Sequence, residues 1–263
     1  VGFICVVVGF GYLFDQVGLD YYPWAILVVM AGIILSSFWV PEQPAPRAAA
    51  ASDDISTNHR PKVRHTVPIV GFLVGVALMQ LSHGPYYTFL TLHLIDLNYS
   101  RAIIGWLWAL GVLAEIGLFV IMPWLLRRIG LTKIIVASLF LAALRWWLLG
   151  FYADSWLVLL FVQILHGATF GSFHAAAIHF VQRYFSAEKQ GQGQGLYVSF
   201  SGIGGALGAL YAGYTWQPLG AGMTFALASG FALLAAVLVL FGLRGLDNPR
   251  LEFNKGRNDD IHP

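Results

Sequence analysis

Charge is what this sequence has least of. Only 11% of its 263 residues are Asp, Glu, Lys or Arg, against about 25% in soluble domains. Hydrophobic residues make up 58%, and mean hydropathy is +0.70. A soluble domain of this size has no core large enough to hide so much apolar surface, so the composition predicts an all-α integral membrane protein. Cysteine is nearly absent too. The single Cys5 excludes an internal disulfide and a thiolate metal cluster. The opening Val1-Gly2-Phe3-Ile4-Cys5 lacks a Met and the basic start of a signal peptide. Residues 1–14 are therefore expected to be the tail of a spanning helix.

What the sequence has in quantity is long apolar runs. A spanning helix needs about 20 mostly apolar residues. After 1–14, such runs fall near 22–40, 67–92, 103–126, 132–152, 155–182, 192–215 and 221–243. They are too long for strands and lack period-two alternation. Between 41 and 66, Pro41, Pro44, Pro46, the alanines 48–51, Asp53, Asp54, Arg60, Lys62 and Arg64 predict a solvated linker without regular structure. This divides the chain into 1–40, the linker 41–66, a six-span block 67–243 and a polar tail 244–263.

Basic residues sort by side. All of the 15 Lys and Arg except Arg101 and Arg145 fall at span ends that share one side, among them Arg127, Arg128, Lys133, Arg183 and Lys189. The opposite loops hold Asp15, Asp20, Asp96 and Asp154. An excess of Lys and Arg marks the cytoplasmic side, so the linker and the C-terminus are expected there.

Within 103–126 only Glu115 ionises, near mid-depth. A charge there costs about 2.5–3.5 kcal/mol on insertion scales and calls for a partner or a task. The expected partner is Arg145, brought to similar depth in the next, antiparallel span. Two interpretations stand: an ion pair that locks two helices, or a site where the acid titrates and Arg forks onto a substrate carboxylate. The span 155–182 carries Gln163, His166, Ser172, His174 and His179. His166 and Phe170, at i and i+4, offer hydrogen bonds and a stacking surface, and a His titrates near neutral pH; interhelical hydrogen bonding is the plainer alternative. The run Gln80, Ser82, His83, Gly84, Pro85, Tyr86, Tyr87 should interrupt its helix, as helices at transporter sites often are. His93 is expected near an interface. The span 192–215 is glycine-rich, which suits close packing and sliding. No His-x3-His pair or local Cys favours zinc, and no metal, cofactor or nucleic-acid partner is expected.

Six spans after a polar linker, preceded by two more, resemble the layout of major facilitator superfamily transporters. Residues 67–243 are similar to the complete second six-helix half of that fold, and 1–40 to the last two helices of the first. Trp124–Lys133 resembles the basic loop between the second and third helices of a half, without its usual acid. Leu107–Ile116, Arg145-Trp146 and Leu165–Ala175 resemble the phenylpropionate branch, a relative of oligosaccharide:proton and nucleoside:proton symporters. The order Glu115, Arg145, His166 matches the site order of lactose-type symporters. Where those carry a second carboxylate this chain has Thr169 and Phe170, so their relay does not carry over whole.

The resemblance implies a monomeric transporter, not an enzyme, in a bacterial-type inner membrane. Its expected task is proton-coupled uptake of a small organic anion such as phenylpropionate. The expected site is Glu115, Arg145, His166, Gln163, Tyr86, Tyr87, His83 and His174. Sugar or nucleoside symport is the rival within transport. An intramembrane lipid-modifying enzyme is the rival outside it, though no His-x4-Asp pair is present to serve one.

Overall fold

The computed structural model describes residues 2–39 and 66–244. The linker from 41 to 65 and the tail from 245 lie outside the described residues. Among those described the structure is helical throughout: α1 Gly2–Val17, α2 Tyr22–Ser37, α3 Thr66–Ser82, α4 Gly84–Asp96, α5 Arg101–Ile129, α6 Leu131–Tyr152, α7 Trp156–His166, α8 Ser172–Tyr184 and α9 Gln190–Gly242. Five helical stretches have the length and hydropathy to cross a membrane. Their outward faces carry apolar side chains such as Val120, Leu157 and Ile203, as a lipid solvent requires.

Three interruptions shape the bundle. Pro85 lies in the first turn of α4, and the chain turns at His83, so α3 and α4 form one path with a break in it. A run expected as one span, 155–182, is divided by a wide π turn over Gly167–Gly171 between α7 and α8. Helix α9 contains Pro218 and bends at Gly220, whose φ of 74° only glycine adopts without strain. Its two arms match the expected spans 192–215 and 221–243.

Close backbone contact sets the spacing. A Cβ on Gly204 would strike the Ala77 carbonyl, and one on Gly208 would lie 2.7 Å from the Leu81 carbonyl. The glycines of α9 thus let it lie directly along α3. Two apolar clusters result. One gathers Phe72, Met79, Leu139, Phe173 and Phe180; the other gathers Tyr86, Leu107, Ala142, Trp146, Val162 and Phe225. The break at His83 and the π turn both fall in the chain between members of the two clusters, as does Glu115, between Leu107 and Met122.

Helix α1 packs on α5. Asp15 of α1 accepts hydrogen bonds from the Arg101 and Ala102 amides at 3.0 and 2.9 Å. Ser100 accepts from the Ile103 amide at 3.3 Å. The first amides of α5, which have no partner within the helix, are thereby satisfied across the α1–α5 contact. Asp15→Ala is expected to destabilise the protein by about 1–2 kcal/mol, with Asp15→Asn in between. Thermal unfolding in detergent measures this, and an unchanged midpoint for the alanine variant would show the contact to be incidental.

Candidate functional site

Arg145 is the most enclosed charge. Its side chain leaves α6 near the middle of the bundle and is 0% exposed. Its Nε donates to the Val162 carbonyl at 2.8 Å. Nη2 donates to Gln163 Oε1 at 3.3 Å, and Nη1 to Thr169 Oγ1 at 3.5 Å. The guanidinium carbon lies 4.2 Å from the Tyr86 ring centre and 4.6 Å from that of Trp146. Aromatic faces attract a cation through their quadrupole. With three oxygen acceptors and two rings, a buried guanidinium recovers much of its lost hydration.

The expected Glu115–Arg145 ion pair is not formed among the described residues. Glu115 instead places Oε1 2.8 Å from His166 Nε2, with side-chain exposures of 16% and 7%. The reason is geometric. Arg145 is taken up by acceptors on α7 and the π turn, while glycines bring α5 against the same stretch. A Cβ on Gly167 would lie 2.6 Å from the Ala114 carbonyl, and His166 Cδ2 sits 3.4 Å from where Gly111 would carry one. Residue spacing says how far along its helix each charge lies, but not the direction in which it points.

Around these two charges the remaining expected residues assemble. Tyr86 donates its hydroxyl to Gln163 Oε1 at 3.0 Å. His83 holds its Nδ1 2.9 Å from the Met79 carbonyl and meets Trp146 edge-on with centres 4.6 Å apart. The rings of His166, Phe170 and His174 form a ladder of near-parallel planes, with centres 5.3 and 6.4 Å apart. Tyr87 is 49% exposed, stacks toward Trp108 and touches Phe170 edge-on. All eight residues named from sequence thus belong to one cluster. His93 instead approaches the Leu149 carbonyl among Trp216 and Phe225. Sequence reasoning did not assign Trp108 or Trp146. Trp108 precedes Glu115 by two helical turns, which is the signal that could have found it; Trp146 adjoins Arg145.

Next to the cluster lies a mostly apolar cavity of about 590 Å³ between α1, α4 and α5, reached past Tyr87, Thr91 and Trp108. This is the size of a small-molecule pocket. Among the described residues, no three His, Cys, Asp or Glu are grouped to hold a metal.

The comparison with known families decides the class, because the family described as the MFS_1 like family matches residues 1–227. The chain belongs to this family. Its long apolar helices and apolar outward faces fit that membership. It is 33% identical over 162 residues to the "Probable 3-phenylpropionic acid transporter" of Escherichia coli K12, covering 60% of this chain and 41% of that protein. It is 24% identical over 155 residues to the xanthosine permease of the same organism, covering 52% of this chain and 35% of the permease. The chain thus spans about two-fifths of the length of these relatives.

The two charges should respond differently to substitution. Arg145→Lys loses the planar fork and the flat stacking surface, and is expected to cost about 2–3 kcal/mol. Glu115→Gln, at a side chain that is 16% exposed and meets a single imidazole, should cost much less. Thermal unfolding of both in detergent compares them; an Arg145→Lys protein as stable as the wild type would remove Arg145 from its structural place.

Proposed function

We propose that this chain forms part of a proton-coupled importer of small ring-bearing organic molecules, with an aromatic carboxylate such as phenylpropionate as its first substrate class. The observation that carries this is the Glu115–His166 pair. A carboxylate and an imidazole lie 2.8 Å apart, incompletely enclosed, beside rings suited to stacking. Protonating Glu115 would break its attraction to His166 without disturbing the acceptors of Arg145. Tyr87, Trp108 and Phe170 would hold the ring of the substrate. A substrate carboxylate would meet Arg145 by displacing its two longer contacts, to Thr169 and Gln163. Tyr86 and His83 would shape the pocket behind them. The similarity to a protein named as a phenylpropionic acid transporter supports the same class. The basic end of the bundle, with Arg127, Arg128 and Lys133, would face the cytoplasm of a bacterial inner membrane.

A nucleoside is the second substrate class, and a separate observation favours it. His83 Nε2, Gln163 Nε2 and His166 Nδ1 are buried without hydrogen-bond partners. Such atoms suit a substrate with both donors and acceptors on its edges, and one relative is named as a xanthosine permease. The family and both relatives point to transport and not to lipid-modifying catalysis.

Uptake of labelled 3-phenylpropionate and xanthosine by the complete gene product in membrane vesicles tests both, with and without an inward proton gradient. The gradient is expected to drive accumulation in the wild type, and Glu115→Gln to abolish the accumulation while leaving exchange of labelled for unlabelled substrate. Accumulation that ignores the gradient and survives the substitution would reduce Glu115 to a packing partner of His166.

A further inference from the structure

Beyond His166, at the end of α7, helix α8 carries a second polar pair that the proposed substrate contacts do not use. His174 Nδ1 lies 2.6 Å from the Tyr197 hydroxyl, joining α8 to α9. The Tyr197 ring is buried against Phe72 in the apolar cluster, so the hydroxyl is its one polar end. Ser201, one turn further along α9, holds its buried hydroxyl beside that of Tyr197. A cavity of about 10 Å³ is lined by Gln80, His174, Tyr197 and Ser201 together with Met79, Phe170 and Phe173. That volume admits about one water, and its polar groups supply the hydrogen bonds a buried water needs. An apolar wall gains nothing from such groups by packing alone.

Glu115 stands within reach of this pair. Its Cγ lies 3.3 Å from where Gly171 would carry a Cβ. Gly171 and His174, three residues apart, share a helix face. The carboxyl group thus rests against His166, and His174 lies further along the face that Gly171 opens beside it. His174 lies eight residues beyond His166, roughly 12 Å along the helix, toward the end that carries Arg183.

We infer that His174, Tyr197 and one water in the small cavity form the route by which the coupling proton leaves Glu115 for the basic end of the bundle. The inference rests on the proton-coupled transport proposed above. A turn of the Glu115 side chain over Gly171 brings its protonated carboxyl from His166 to His174, where it gives its proton to Nε2. The imidazole passes its Nδ1 proton to the Tyr197 oxygen, and the Tyr197 hydroxyl proton passes to the water beside Ser201 and Gln80. One proton enters the route and one leaves it, and each group returns to its starting charge. The titratable groups facing His174 are Glu115 from α5 and Tyr197 from α9. From α3 comes the uncharged Gln80, and the α6 cation Arg145 is held at Thr169, more than one turn earlier.

The test compares two rates for the complete gene product in proteoliposomes, with labelled 3-phenylpropionate and xanthosine as probes. One is accumulation driven by a pH gradient. The other is exchange at equal pH, which needs no net proton release. Tyr197→Phe removes only the hydroxyl and keeps the ring. It is expected to lower the ratio of accumulation to exchange by about 100-fold, and Ser201→Ala to lower it less. A ratio equal to that of the wild type in Tyr197→Phe overturns the route, as does a parallel fall of both rates, which would mark Tyr197 as a packing residue. Should Tyr197→Phe fail to fold, the ratio in Ser201→Ala decides in the same way. If the wild type shows no gradient-driven uptake of either probe, the parent proposal falls and the route with it. If Glu115→Gln collapses the ratio while Tyr197→Phe does not, the route alone falls.

Discussion

The burial of one guanidinium organises this bundle. Arg145 sits at mid-bundle, 0% exposed, in surroundings where each unsatisfied donor costs several kcal/mol. Its acceptors come from Val162 and Gln163 on α7 and from Thr169 in the π turn, and its stacking partners from α4 and α6. Meeting those demands at one level requires irregular backbone there. The α3–α4 break brings Tyr86 over the charge, and the π turn carries Thr169 to it. The two apolar clusters then fill the space on either side of that level.

Because Arg145 is taken up by three acceptors and two rings, Glu115 is released from the partner that its position alone would assign to it. The two charges consequently play opposite parts. One is enclosed and held by five groups; the other is partly open and held by a single imidazole. A buried charge with many fixed partners resists change, whereas a carboxylate with one titratable partner can alter its state at smaller cost. This asymmetry makes a coupling task for Glu115 compatible with a stable helix bundle.

Much of this was legible in the sequence, and what was not has physical reasons. The spans are legible because bilayer thickness fixes their length, and the α3–α4 break is legible because Gly84-Pro85 cannot continue a regular helix. The eight polar and aromatic residues of the cluster are legible because polar atoms in apolar spans are costly enough to need one another. The partner of Glu115 was not legible. Residue spacing gives depth along a helix, but Arg side chains are long and flexible, and which acceptor captures one depends on the azimuth of neighbouring helices. The π turn was equally hidden, since Gly167-Ala168-Thr169-Phe170-Gly171 is as compatible with an ordinary helix. Asp15 is a loop-end acid until α1 is seen to lie against the first turn of α5.

Three glycines explain why the open charge could be mobile in the assembled protein. Gly111 faces His166, Gly167 faces the backbone at Ala114, and Gly171 faces Glu115 itself. At Gly111 and Gly171 a side chain of the other helix fills the space a Cβ would take, and at Gly167 backbone meets backbone. A side chain facing glycine keeps room to turn that a facing Cβ would remove. A turn of the Glu115 side chain over Gly171 would carry its carboxyl from the neighbourhood of His166 toward that of His174. The Arg145 network, which ties α6 to α4, α7 and the π turn but takes no hydrogen bond from α5, would stay intact. The same glycines that bring the acid to its histidine therefore leave space beside it on the side of Gly171.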